Sequence, residues 1–509
     1  MIDARFPAFD AFETRYLEGE AQIVWTRLID DLETPVAAYL KLGHGKPYAF
    51  LYESVEGGAW RGRYSIIALD PDLVWRARGD AAEISFGPDI AQSRFVPEDV
   101  DALMSLRRLV DASRLPIPAP LPPMAAGLFG VLGYDMIRLV EPLGPANPDP
   151  LDLPDGIMIR PQIIAVFDSI AQEIILCTPV RPKSDVSADI AYQMALDRLG
   201  AVERQLKGHL ETRAAPEKTA ASPLRSKVDR NAYGEMVEKA KSYIAAGDIF
   251  QVVPSHRFSS PYPADPFGFY RSLRRTNPSP FLFFLNFGGF QLAGSSPEIL
   301  VRLRDGKVSI RPIAGTRRRG KTPEEDLALE AELLADPKER AEHLMLLDLG
   351  RNDVGRAVMP RPGQNAPMTG PRVRVTETFV IERYSHVMHI VSNVEGDAPE
   401  PVDPIDVILT ALPAGTLSGA PKVRAMQIID VLESEKRGLG YGGAAGYISA
   451  DGSLDTCIVL RTALFKDGMM YVQAGGGVVA DSDPDAEYEE TLHKSDALRR
   501  AAEEAWRFS

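Results

Sequence analysis

An α+β fold built largely from antiparallel β-sheet is predicted for this chain, on three observations. Apolar segments in the second half meet in pairs at Gly-Gly or Asp-Gly turns, and Asp-Gly is the strongest short-range hairpin signal. Helical stretches are inserted between these hairpins and do not alternate with single strands, so the order expected of a doubly wound sheet is missing. No repeat of fixed period runs along the 509 residues.

The elements follow in chain order. Up to about Val202, short strands mix with Pro-rich loops. WRARGDAAEISF turns at Gly79-Asp80 as a hairpin. Residues 116–123 (PIPAPLPP) and 141–155 are stiff or irregular loops, and IIAVFD and EIILCTPV are apolar strands. Residues 207–227 are polar, rich in Ala, Pro and Ser, and read as a linker. Asp229 then caps a helix. Its apolar positions Tyr233, Met236, Val237, Ala240, Tyr243 and Ile244 recur at helical spacing, and Gly247 ends it. FLFFLNF and FQLAGSS join at Gly288-Gly289, and ILVRLR and KVSIRP at Asp305-Gly306. GYISA and LDTCIVLR meet around Asp451-Gly452, and TALF and MYVQAG around Asp467-Gly468. Helices are expected near 323–351, 404–412, 421–435 and 484–506. The chain therefore divides into an N-terminal region (1–206), a linker (207–228) and a second region (229–509).

Composition narrows the function. The formal charge of −14 (57 basic minus 71 acidic residues) comes with no basic stripe, which argues against nucleic acid as a partner. A small anionic substrate is still compatible, because a metal or a few arginines reverse the field inside a cleft. Cys177 and Cys457 form no CxxC pattern, so a reduced, cytoplasmic protein is expected. The N-terminus lacks the basic-then-apolar order of a signal peptide, and the densest apolar run, PFLFFLNF, is too short to span a bilayer.

Five segments could carry chemistry. In VQAGGGVVADSDPDAEYEETLHK, Gly475, Gly476 and Gly477 follow a strand and leave backbone N–H groups uncovered, which suits an anion. On the helix after it, Glu487, Glu490 and Lys494 lie on one face. An E-x-x-E face is also an ordinary solvated surface, and a triple glycine is also a strand bulge. A second pair, Glu339 and Glu342, follows the Asp336-Pro337 helix start; two such pairs on two helices could share one Mg²⁺. Gly415, Thr416 and Ser418 precede a helix with Pro421 in its first turn, either an anion site or a capped helix after a loop. His386 and His389 lie in a β-branched, strand-like segment, where the i, i+3 spacing puts them on opposite faces. Gln251, Glu298, Thr316 and the basic run Arg317–Arg319 complete the set.

Together these segments resemble the chorismate-utilising enzymes, most closely the anthranilate synthase component I branch. DIFQVVPS, NPSPF, GSSPE, PIAGTRRRG, AEHLMLLDLGRND, YSHVMH, LPAGTLSGAPK, YGGAAGY, LDTCIVLRTA and ADSDPDAEYEET are each similar to that family's pattern, in its order. The resemblance covers about 229–502, and LYES (Leu51–Ser54) resembles the family's tryptophan-binding signature. It implies antiparallel sheets packed as a sandwich with helices outside. It also implies conversion of chorismate and ammonia to anthranilate and pyruvate, with Mg²⁺ bound by Glu342 and Glu490 and supported by Glu339 and Glu487. Gly315, Thr316, Tyr441, Arg461, the Gly475–Gly477 loop and Lys494 would contact the substrate. Glu298 would be the acid for the departing hydroxyl, with His389, Thr416 and Gln251 also at the reacting centre. Gly476 stands where the family usually has Ala.

Two positions separate this branch from its relatives. Water-adding relatives carry a lysine base where Gln251 stands, and aminodeoxychorismate synthases often carry a nucleophilic lysine where Ala314 stands. The alternatives weighed are therefore aminodeoxychorismate synthase component I and an inactive tryptophan-sensing subunit. No glutaminase signature occurs in the sequence, so ammonia is expected from a separate glutaminase subunit in a hetero-oligomer. Feedback by L-tryptophan is expected at Ser54, Pro280, Phe281 and Leu282, where Phe281-Leu282 replaces the commoner Tyr-Met.

Overall fold

The computed structural model describes residues 5–54, 62–210, 222–360, 372–384 and 387–508. His386 and residues 211–221 of the linker lie outside them. The predicted hairpins form at the predicted turns: Phe281–Asn286 with Gln291–Ser296, Ile299–Arg304 with Lys307–Ile310, Ala444–Ser449 with Leu454–Ile458, and Thr462–Lys466 with Met469–Gly475.

Most strands belong to one hydrogen-bonded network that folds into two antiparallel sheets. They share a long pair, Tyr64–Arg78 against Gly156–Asp168, where the sequence suggested short strands. The register of this pair shifts between Pro71 and Leu73, opposite Pro161. Proline donates no ladder hydrogen bond and a register shift bends a strand, so the pair turns there from one sheet into the other. Arg160 clamps the turn with two hydrogen bonds to Asp72, at 2.8 and 3.0 Å. On one side of the bend the pair is flanked by Ala49–Glu53 and Glu173–Val180, on the other by Ala81–Phe86 and Gly127–Leu132.

The first sheet continues from Ala49–Glu53 through Phe281–Asn286, Gln291–Ser296, Thr462–Lys466 and Met469–Gly475 to Ser255–Pro261. The second continues from Gly127–Leu132 through Ala444–Ser449, Leu454–Ile458, Ile299–Arg304 and Lys307–Ile310 to Val387–Asp397. Each sheet thus joins a block of strands from 1–206 to a block from 229–509, at Ala49–Glu53 with Phe281–Asn286 and at Gly127–Leu132 with Ala444–Ser449, and the division seen along the chain does not separate the sheets.

Three apolar layers hold this arrangement. Phe50, Phe129, Phe283, Leu292, Val459 and Leu464 form a core between the sheets. Phe12, Tyr39, Leu199, Phe267, Leu273 and Leu498 pack helices on the outer face of the first sheet. Trp75, Leu106, Val354, Ile405 and Ile408 do the same for the second. The result is a sandwich with helices outside.

Several helices begin at a capping side chain followed by proline. Asp265, Thr322, Asp336, Asp403 and Asp483 each accept a first-turn N–H beside Pro266, Pro323, Pro337, Pro404 and Pro484. The stretch expected to be helical over 323–351 is accordingly two helices, Pro323–Ala335 and Pro337–Ala357, because proline cannot continue the first. The helix expected from 421 starts at Lys422, with Pro421 just before it. No helix among the described residues is long and apolar enough to cross a membrane.

Candidate active site

A cleft of about 960 Å³ opens where the two sheets and three sequence-distant segments converge. Gln251, Glu298, Gly315, Thr316, Glu339, Glu342, His389, Thr416, Tyr441, Arg461, Gly475, Gly477, Glu487, Glu490 and Lys494 all line it.

One wall carries the two glutamate pairs. Glu339 and Glu342 stand on the first turns of Pro337–Ala357, and Glu487 and Glu490 on those of Pro484–Glu504. Burial, then the like charges of Glu339 and Glu490, push the Glu342 carboxyl above its usual range. The two helices therefore face each other across a region of crowded negative charge. Lys494 offsets part of it, donating to Glu490 at 2.7 Å and to the Gly475 carbonyl at 2.9 Å. Arg317 donates to Glu339 at 3.0 Å. Glu487 accepts from Ser482 at 2.7 Å, while its Oε2 is buried without a hydrogen-bond partner among the described residues. Burial raises its pKa as well.

The glycine triplet is more committed than its sequence suggested. Gly475 pairs with Ser255 in the sheet. The Gly476 N–H donates inward to the Tyr233 hydroxyl at 3.2 Å, and a Cβ there would stand 2.6 Å from Glu487 Oε2. At Gly477 a Cβ would stand 2.5 Å from the Gln251 amide. Of the three, Gly475 and Gly477 face the cleft.

The same cleft holds the proton-transfer groups. Glu298 accepts from the Thr416 hydroxyl at 3.2 Å. Burial pushes its carboxyl up to about 8, against the opposing effects of that hydrogen bond and of the Arg461 charge. It is therefore protonated at neutral pH. Arg461 takes φ 48°, a left-handed conformation uncommon for a side-chain-bearing residue. His389 lies on Val387–Asp397, and its Nδ1 is 3.0 Å from the Gly315 carbonyl and 3.1 Å from Thr316 Oγ1. A carbonyl only accepts, so Nδ1 carries the proton and Nε2 is left with a lone pair. Burial lowers the imidazole pKa, so that lone pair is available at neutral pH.

Beneath the cleft lies a group that sequence reading missed. Arg437 and Glu433 form a buried ion pair, and Arg437 also donates to the carbonyls of Leu417 at 2.6 Å and Val253 at 2.7 Å. Glu433 accepts from the Ser255 N–H and hydroxyl, both at 2.8 Å. This ties the Thr416 loop to the Gln251 segment. The i, i+4 spacing was visible, but it reads equally as surface charge.

The residues expected to bind an inhibitor lie elsewhere, in the first sheet. Glu53 pairs with Leu282, which brings Ser54 beside Pro280 and Phe281. Buried Glu53 accepts from Tyr270 at 2.5 Å and Arg274 at 2.9 Å.

A two-sheet sandwich with facing carboxylate pairs at the convergence of its motifs defines a class. The family described as chorismate binding enzyme matches residues 49–500, and this chain belongs to that family. Within it, the chain is 54% identical to anthranilate synthase component 1 of Cereibacter sphaeroides, covering 99% of this chain and 98% of that one. It is 46% identical to the Pseudomonas aeruginosa protein of the same name, covering 92% and 93%. The crystal structure of anthranilate synthase component I from Streptococcus pneumoniae superposes with a TM-score of 0.72 at 34% identity, covering 92% of this chain and 98% of that one. The menaquinone-specific isochorismate synthase of Escherichia coli shares the fold, with a TM-score of 0.68 at 18% identity, covering 97% and 99%.

Proposed function

We propose that this chain is the aminase subunit of an anthranilate synthase, a lyase that converts chorismate and ammonia to anthranilate, pyruvate and water. The observation that carries this reading is the buried Glu298, hydrogen-bonded to Thr416, sharing one cleft with two facing carboxylate pairs. Ammonia adds at C2 of the ring, the double bonds shift, and the 4-hydroxyl departs as water with the Glu298 proton, since hydroxide is a poor leaving group. His389, with Nε2 as acceptor, serves proton transfer in the later elimination, in which pyruvate is lost and the ring becomes aromatic. Gln251 stands in the cleft without the basicity to activate water, which favours ammonia over hydration. Ala314 cannot form the covalent adduct of a nucleophilic lysine.

The carboxylate wall fits Mg²⁺. Among the described residues no three His, Cys, Asp or Glu side chains gather closely enough to hold a metal alone. Mg²⁺ characteristically keeps one or two protein carboxylates and completes its shell with water and substrate. Glu342 and Glu490 would be the direct ligands and Glu339 and Glu487 their supports, which agrees with the unpartnered Glu487 oxygen. When bound, the ion would supply charge neutralisation at the ring carboxylate and withdraw electron density from the ring. Arg461, Lys494, Tyr441, Gly315, Thr316, Gly475 and Gly477 would hold the remaining substrate groups.

In this reading 229–509 carries catalysis and 1–206 contributes Ser54 to a tryptophan site with Pro280, Phe281 and Leu282. Ammonia comes from a separate glutaminase subunit, in the cytoplasm. Incubation of the chain with chorismate, MgCl₂ and an ammonium salt is expected to yield anthranilate. Aminodeoxychorismate or isochorismate as the product would overturn the reading.

A further inference from the structure

Behind the acid, a second buried ion pair joins three elements that the reaction as described does not use. Lys422 opens the helix Lys422–Leu432, and its side chain is 7% exposed. Its ammonium donates to Asp353 at 2.8 Å and to the carbonyls of Thr410 at 3.3 Å and Ala411 at 3.2 Å. Those two carbonyls belong to the last residues of the helix Pro404–Ala411, where carbonyls lack intrahelical donors. One ammonium therefore gathers both ends of the loop 412–421. Near the tip of that loop, Thr416 donates to Glu298. Asp353 belongs to Pro337–Ala357, about three turns and ~16 Å beyond Glu342. Glu298, Thr416 and Asp353 also line one small cavity of about 30 Å³, so the ion pair lies directly behind the acid.

We propose that Lys422 and Asp353 are positioning residues for the reaction. The ammonium closes the base of the 412–421 loop and moors it to the helix bearing Glu339 and Glu342. The Thr416–Glu298 contact is thereby held at a set place relative to the carboxylate wall. An apolar pair could fill the same space, but it could not hold the Thr410 and Ala411 carbonyls. The proposal rests on Glu298 being the acid.

The test compares Lys422→Met combined with Asp353→Leu, Thr416→Val, the triple combination, and Glu298→Gln. Steady-state anthranilate formation is measured at saturating ammonium and Mg²⁺, together with melting temperature. The charge-free pair is expected to melt within a few degrees of the parent. Its kcat is expected to fall about tenfold or more, with the chorismate KM changed less than about threefold. In the Thr416→Val background the same pair is expected to cost less than about twofold, because both act through one contact. A folded pair with parental kcat, or a loss that multiplies in full with Thr416→Val, overturns the proposal. If the pair fails to fold, hydrogen exchange of Asp353→Asn decides: amides of 414–420 should exchange about tenfold faster, those of 337–357 unchanged. Unchanged loop exchange overturns it. Glu298→Gln separates the two readings. Parental activity there removes the acid assignment, whereas loss there beside a silent charge-free pair removes only the positioning role.

Discussion

At the scale of single residues, burial decides protonation. Glu298 is pushed up to about 8, so its acid form is present below that pH and is lost as pH rises through it. The kcat profile is expected to fall about tenfold per pH unit above ~8, a limb that measurement from pH 5 to 10 would locate. His389 moves the other way: burial lowers its pKa, so its neutral form persists below the ordinary imidazole value of ~6.5. A falling acid limb is thus expected at lower pH than for an exposed histidine. Glu298→Gln is expected to cost kcat about 10²–10⁴-fold. Glu490→Gln should fold normally by circular dichroism and lose Mg²⁺-dependent turnover. Near-normal activity in that variant would refute its assignment as a ligand.

At the scale of elements, the Met469–Gly475 strand and the helix from Pro484 meet at Gly476. Its added Cβ would stand 2.6 Å from Glu487 Oε2. That oxygen is the far end of a flexible side chain, so Gly476→Ala, the residue the family usually carries here, should leave the half-saturating Mg²⁺ concentration little changed; a large rise would show that Glu487 is fixed where it lies. The Glu433–Arg437 pair ties two loops to the cleft floor. Arg437→Met leaves Glu433 buried without its partner, at a cost of about 3–5 kcal/mol. Its urea midpoint should fall well below the parent's.

At the scale of the molecule, the first sheet connects the Ser54 region with the cleft, running from Ala49–Glu53 to Met469–Gly475. The helix Pro266–Thr276 holds Glu53 through Tyr270 and Arg274. It also packs against Pro484–Glu504, which bears Glu487 and Glu490. Occupancy beside Ser54 has a packed route to the carboxylate wall. Saturating tryptophan is expected to suppress anthranilate formation from ammonium, and unchanged turnover would count against the inhibitor site. With glutamine in place of ammonium, the chain alone is expected to form no anthranilate.

The sequence by itself determined the hairpins at Gly288-Gly289 and Asp305-Gly306, the Asp-Pro helix starts, and the Glu487/Glu490 and Glu339/Glu342 faces. Each depends on backbone preferences or spacings within a few residues. It also carried the resemblance that joined those faces into one site. Only the tertiary structure decided that Tyr64–Arg78 and Gly156–Asp168 run through both sheets, and that Ala49–Glu53 lies against Phe281–Asn286. The same holds for the inward-turned Gly476 N–H and for the two buried ion pairs, Arg437 with Glu433 and Lys422 with Asp353. An ionisable side chain looks alike in sequence whether it ends in water or under a loop. Burial arises only when distant segments pack, and burial is what raises the pKa of Glu298, lowers that of His389 and commits each buried charge to a partner.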